Sequence, residues 1–144
     1  MVLTGFHPRL MDEKKRVAIP KAIREQLGEG EGVPLTLYVA PDPNGCLRIY
    51  REEELERYGR TQVGAVEGQP EAEAKRRAFF ACAANCQLDA QGRLLLPERL
   101  VRHAGLNRKV ILLGVHDHLE LWDPDRLRDY LRQAGLDWEQ LPLE

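Results

Sequence analysis

One segment of this chain occurs twice. Leu10-Met11-Asp12-Glu13-Lys14-Lys15-Arg16-Val17-Ala18-Ile19-Pro20 returns 77 positions later as Gln87-Leu88-Asp89-Ala90-Gln91-Gly92-Arg93-Leu94-Leu95-Leu96-Pro97. Each copy reads Asp-x-x-x-Arg, three apolar residues, then Pro. The correspondence continues through Ile23/Leu100 to Gly28/Gly105. It resumes, five residues out of register, at Leu47-Arg48-Ile49-Tyr50 against Leu119-Glu120-Leu121-Trp122, and reaches Leu55/Leu127 and Tyr58/Tyr130. A duplication this long is one supersecondary unit used twice, so a pseudo-two-fold axis is expected within the chain, and any surface the unit makes is made in duplicate. With 144 residues in all, neither half can bury much core alone, and the strands of the two are expected to interlock.

Each unit reads as strand, tight turn, strand and helix. Phe6 to Met11 and Cys82 to Leu88 lead into the Asp, whose side chain accepts hydrogen bonds from backbone N–H groups further into a turn. Gly92 supplies a positive φ at little cost, whereas Lys15 in the same place must tolerate that conformation or use another turn. Arg16 to Ile19 and Arg93 to Leu96 read as strands. Pro20 and Pro97 stop them, because proline cannot donate to a ladder yet fits the first turn of a helix. Helices follow over Lys21 to Leu27 and Glu98 to Ala104, closed by Gly28 and Gly105. Hairpins come next: Leu35 to Val39 with Leu47 to Tyr50 around Asp42-Pro43-Asn44-Gly45, and Val110 to Val115 with Leu119 to Trp122 around His116-Asp117-His118. Helices over Glu52 to Tyr58 and Pro124 to Gln133 end the units. The division is therefore a first repeat over 5–58, a linker and helix over 59–80, a second repeat over 81–130 and a tail over 131–144.

Charge is small in total and uneven in place. The net value is −2, yet Arg9 to Arg24 holds six basic residues against two acidic, and Asp117 to Glu144 holds eight acidic residues against three arginines. A basic motif surface set apart from an acidic tail can act on phosphates, although a mixed solvated surface gives the same counts. The amino terminus lacks a basic segment followed by an apolar run, and no apolar stretch approaches bilayer length, so a cytoplasmic protein without a membrane partner is expected. Three cysteines, Cys46, Cys82 and Cys86, make an odd count and are expected to be reduced. Cys82 and Cys86, among apolar neighbours, are expected to be buried.

No enzyme chemistry is readable. Gly-rich phosphate loop, nucleophile elbow and histidine–carboxylate set are all missing from the sequence, and no cofactor is expected. His116-Asp117-His118 with Glu120 does not have zinc spacing and is read as a polar turn. The motif itself has usable chemistry. An arginine at the first position of a strand leaving a tight turn projects from the sheet rim, where its planar fork can take a phosphate or the O6/N7 edge of guanine. Lys14, Lys15 and Gln91, in the turns, can add contacts, with Asp12, Asp89 and Gly92 shaping the turns. The competing reading is that Asp12–Arg16 and Asp89–Arg93 are pairs that merely hold the turn. Lys21 and Arg24 are weaker candidates.

The duplicated Asp-x-x-x-Arg motif, with hairpins ending in Leu-Arg-Ile-Tyr and Leu-Glu-Leu-Trp, resembles the MraZ family of bacterial transcriptional regulators, which carry two SpoVT/AbrB-type domains per chain. The likeness spans about residues 1–130; the second motif fits the family pattern, and the first has Lys15 where Gly is usual. The resemblance implies an α+β, predominantly β fold: a double-split β-barrel of two interlocked pseudo-symmetric repeats with short helices. It also implies a ring-like homo-oligomer at the nucleoid that binds double-stranded DNA at direct repeats in the promoter of a division and cell-wall gene cluster. Arg16 and Arg93, which match the family's arginines, are implied as the DNA-contacting pair. Two other readings stand beside this one: a ring-forming protein-interaction scaffold, and an antitoxin-like AbrB/MazE module. The latter usually has one such domain and a long toxin-binding tail, which two full copies and a short tail disfavour.

Overall fold

The computed structural model describes residues 1–32, 34–63 and 67–143; residues 64–66 of the expected linker lie outside the described residues. The chain forms β1 (Phe6–Leu10), β2 (Arg16–Ala18), α1 (Lys21–Gln26), β3 (Thr36–Pro41), β4 (Leu47–Arg51), α2 (Glu52–Tyr58) and α3 (Pro70–Cys82). The second set is β5 (Ala84–Gln87), β6 (Arg93–Leu95), α4 (Glu98–His103), β7 (Lys109–Val115), β8 (His118–Trp122) and α5 (Pro124–Gln133). Among the described residues no helix is long and apolar enough to cross a membrane.

Six strands make one sheet in the order β1-β7-β8-β4-β3-β5, and β2 pairs with β6 in a separate ribbon. Every pairing is antiparallel. The halves exchange strands: β1 of the first lies on β7 of the second, with Phe6 opposite Leu113, and β5 of the second lies on β3 of the first, with Cys86 opposite Leu37. The seam between the two hairpins runs down the middle of the sheet, where Leu47, Arg48 and Ile49 face Leu121, Glu120 and Leu119. These are the residues that the duplication equates, so the pseudo-two-fold axis passes here.

The expected barrel is not closed. β1 and β5 remain the sheet's edges among the described residues, because each half spends its first strand extending the other half's hairpin, and Pro8 in β1 cannot donate to a further ladder. The architecture is a mixed α and β fold with a mostly antiparallel sheet and short helices.

Strand alternation sorts the side chains. Leu47, Ile49, Leu119 and Leu121 point to the main core, where they meet Val17 and Leu94 from the ribbon and Ile23, Leu27, Leu100 and Ala104 from α1 and α4. The opposite face of the sheet carries Arg48, Tyr50, His118, Glu120 and Trp122, with Cys46, Ile111, Trp122 and Leu127 forming a smaller cluster there. Gly28 and Gly105, at φ of 105° and 60°, follow α1 and α4 as left-handed stops. All three cysteines are free. Cys46 and Cys86 are buried, but Cys82 is exposed, because α3 runs two residues beyond the expected Phe80 and buries no residue along its length.

Candidate nucleic-acid interface

Both motif turns are built by the same hydrogen bonds. Asp12 Oδ1 accepts the N–H groups of Lys14 and Arg16, each at 2.9 Å, and Oδ2 accepts Arg16 Nε at 2.8 Å. Asp89 Oδ1 accepts from Gln91 at 2.9 Å and Arg93 at 3.0 Å, and Oδ2 accepts Arg93 Nε at 2.8 Å. The turns share a backbone too: Lys15 has φ 64° and Gly92 has φ 77°. Lys15 therefore adopts the left-handed conformation that glycine takes freely, a strain of about 1–2 kcal/mol for a residue with a Cβ. Gly92 answers a second demand. A Cβ there would lie 2.6 Å from the guanidinium carbon of Arg24. In the duplication Arg24 corresponds to Val101, so the second half has no arginine at the position that packs over Gly92.

The ribbon brings the turns together. Arg16 lies opposite Leu95 and Ala18 opposite Arg93, while Val17 and Leu94 face the core. Each turn is also tied to the other half, through Ile19 N–H to the Gly92 carbonyl at 3.0 Å and Leu96 N–H to the Lys15 carbonyl at 2.9 Å. Arg16 Nη1 stands 3.7 Å from Asp89 Oδ2, and Arg93 Nη1 stands 3.9 Å from Asp12 Oδ2. The four charges thus form one neutral cluster astride the pseudo-dyad.

This changes the picture of Arg16 and Arg93 as free rim side chains. They are only 25% and 32% exposed, and the Asp–Arg pairing weighed as the competing reading is present. The contacts engage Nε and Nη1 of each guanidinium, however, which leaves Nη2 for an outside acceptor. An arginine held in one orientation loses less freedom when it binds one. Lys14 and Gln91 are exposed at the turn tips, and Lys15 is half-buried. Lys21 is exposed, 4.0 Å from Glu25. Arg24 is withdrawn from the surface: its Nε donates to the Ile19 carbonyl at 2.9 Å and its Nη1 to Glu29 at 2.6 Å.

The backbone N–H of Arg16 does most to hold the Asp12 carboxyl below the ordinary value of 3.8; partial burial opposes this, and the Arg16 guanidinium and Lys14 N–H reinforce it. Asp89 is lowered in the same way, foremost by the Arg93 N–H. A carboxyl whose folded pKa is depressed stabilises the fold fully above its unfolded pKa, and that contribution disappears as pH falls through the folded value. Acidification below 3.8 is thus expected to loosen both turns. Carboxyl-carbon NMR titration should give both aspartates midpoints under 3.8, rising in Arg16→Gln and Arg93→Gln; midpoints at or above 3.8 in the unsubstituted protein would contradict the bracing.

Two groupings have no signal in the motif spacing. Leu106, Asn107 and Arg108 stand beside the first turn, since the Met11 N–H donates to the Arg108 carbonyl at 2.7 Å. With Asp12, Glu13 and Lys15 they line an open groove of about 420 Å³. On the far side of the sheet, ligand-capable atoms of Asp42, Cys46 and Glu120 lie within 4.8 Å of one another. Arg48 Nε already donates to Asp42 at 2.5 Å, and Glu120 accepts from Trp122 Nε1 at 3.0 Å and meets His118 Nε2 at 3.0 Å. Burial, reinforced by Glu120 and Asp42, keeps the Cys46 thiol protonated. Asp42 and Glu120 are thus already taken up in a hydrogen-bonded network on this face of the sheet. His118 belongs to it, its other ring nitrogen 2.7 Å from Asp117, so the imidazole is held between a carboxylate of the turn and one of β8.

The sequence profile of the family described as "MraZ protein, putative antitoxin-like" matches residues 79–141. A transcriptional regulator MraZ from Lachnoclostridium phytofermentans is 35% identical over 122 residues, spanning 85% of this chain and 82% of the relative. Proteins of the same name from Marinobacter nauticus and Heliobacterium modesticaldum are 36% identical over 140 residues and 32% identical over 138. These two alignments cover 96% and 95% of this chain and 92% of each relative. They run through both motif turns and the segment between the repeats, at identities that random similarity does not sustain over such lengths, and the chain belongs to the MraZ family.

Proposed function

We propose that this chain is a sequence-specific, DNA-binding transcriptional regulator and that its two Asp-braced turns meet the duplex. The observation that carries the reading is the ribbon itself. It sets two copies of one turn side by side, each offering a partly exposed guanidinium whose orientation an aspartate fixes, with Lys14 and Gln91 exposed at the tips. Arginine in such a pose suits guanine or phosphate. The relatives' names, which state regulation of transcription, support it.

The finer reading follows from the same resemblance. The two repeats, 5–58 and 81–130, form a double-split barrel in which the ribbon complements the six-stranded sheet. Subunits assemble into a ring at the nucleoid, and successive subunits engage direct repeats in the promoter of a division and cell-wall gene cluster. One subunit has only two turns and a net charge of −2, so useful affinity comes from linked contacts, each later one being effectively intramolecular. Titration of fragments carrying one to four promoter repeats at fixed salt is expected to show affinity climbing steeply with repeat number, against scrambled DNA of equal length. Equal affinity for all four fragments would sink the multivalent reading, and equal affinity for scrambled DNA would sink sequence specificity.

A further inference from the structure

The two turns are alike in backbone and unlike in charge. Beside the first stand Asn107, Arg108 and Lys109, all exposed, brought in from the second half where Leu10 lies opposite Lys109 at the end of the β1–β7 ladder. Lys14 and Lys15 belong to the turn itself. Glu13, also exposed, is the opposing charge in the groove, Asp12 being spent on Arg16. Around the second turn the picture reverses. Ala90, Gln91 and Gly92 carry no charge, and the arginine packed against Gly92 is neutralised by Glu29. The Asp–Arg centre is therefore alike in the two turns, while Lys14, Lys15, Arg108 and Lys109 stand by the first.

We infer that the groove lined by Lys15, Asn107 and Arg108, with the exposed Lys14 and Lys109 beside it, is a phosphate clamp for the DNA backbone, and that having it at the first turn gives each subunit a fixed direction on the duplex. The inference rests on the DNA-binding reading and deepens it. A unit with two equal turns about a dyad matches a palindromic site, because the duplex backbone has dyads of its own. A unit gripping phosphates at one end matches a site with polarity, and a row of such subunits facing one way matches direct repeats. Phosphate contact is sequence-blind and releases counterions, so Arg108 and Lys109 act on affinity and salt dependence, whereas Arg16 and Arg93 act on sequence preference.

The test measures binding of the full-length protein to a one-repeat promoter fragment and to scrambled DNA over a series of KCl concentrations. Arg108→Gln and Lys109→Gln are each expected to reduce the slope of log K against log salt by about 0.9 per engaged subunit, so that a tenfold rise in salt weakens the variant about eight-fold less. Operator and scrambled DNA should lose affinity by the same factor. Arg108→Lys should keep the slope, which separates loss of charge from loss of fold. Lys75→Gln, on α3, should leave it unchanged. Wild-type slopes in both Gln variants, with binding still weakened by Arg16→Ala and Arg93→Ala, would overturn the clamp and leave the DNA-binding reading standing. An equal drop in Lys75→Gln would overturn it as well, by showing a diffuse attraction. If the unsubstituted protein binds neither DNA, both readings fall.

Discussion

Replacing Gly114 with alanine is expected to cost about 1–3 kcal/mol of stability, because the added methyl group meets backbone and not a flexible side chain. Gly114 lies on β7 and donates its N–H to the Gly5 carbonyl at 2.9 Å. A Cβ built there falls 2.5 Å from the carbonyl carbon and oxygen of Thr4, which are backbone atoms and cannot rotate aside. The strain passes to the neighbouring bridge, where Leu3 and His116 exchange two hydrogen bonds of 2.8 Å. Leu3 is fully buried, so lifting the amino-terminal segment off β7 takes a whole leucine out of the core. Chemical denaturation would measure the loss. Leu3→Ala should cost a similar amount, and the double variant less than the sum, because both changes undo one contact. A Gly114→Ala variant within about 0.5 kcal/mol of the parent, the ordinary range of surface changes, would show that the segment does not seat as described.

The second large effect is on DNA. Arg16→Ala and Arg93→Ala are each expected to weaken operator binding by about 1–3 kcal/mol and to relax preference at particular base positions. Because Arg16 faces Asp89 as well as Asp12, and Arg93 faces Asp12 as well as Asp89, the two losses should not add. Removing either guanidinium also leaves a half-buried carboxylate short of its partner, so a modest loss of stability accompanies the loss of binding. Lysine should not rescue, since a single ammonium cannot occupy the aspartate and present a second edge outward at once. Electrophoretic mobility shifts on operator variants with single base changes would check this, and unchanged affinity in both alanine variants would remove the role given to the motif.

The features that the sequence announced are those with local causes. Proline after an apolar triplet, glycine closing a helix and Asn-Gly in a hairpin each act within a few residues, and the strands, α1, α4 and the β3–β4 turn follow them closely. The aspartate bracing was legible for the same reason, its partners lying two and four residues on. The rest depends on what the chain meets at a distance. That Arg16 and Arg93 share their aspartates follows from the β2–β6 pairing across the duplication. Arg24 looked like a surface cation and is spent on Ile19, Glu29 and Gly92 instead. Lys15 carries no local sign that it can take φ 64°; the hydrogen-bonded turn around it settles the matter. Arg108 joins the first motif only because β1 pairs with β7, a contact that no short-range pattern reveals.

That exchange of strands also governs how the protein is made. Phe6 and its partner Leu113 are 107 residues apart in the chain, so β1 lacks its partner strand until those residues have been made. At about 5–20 residues per second the wait is roughly 5–20 s. The hairpin of β3 and β4, complete at Arg51, has no β5 beside it until Gln87 is made and no β8 until Trp122 is made, and its open edges are meanwhile templates for any other strand. Neither half is a unit that can fold first and wait for the other. The nascent amino-terminal half keeps those edges open until its twin emerges.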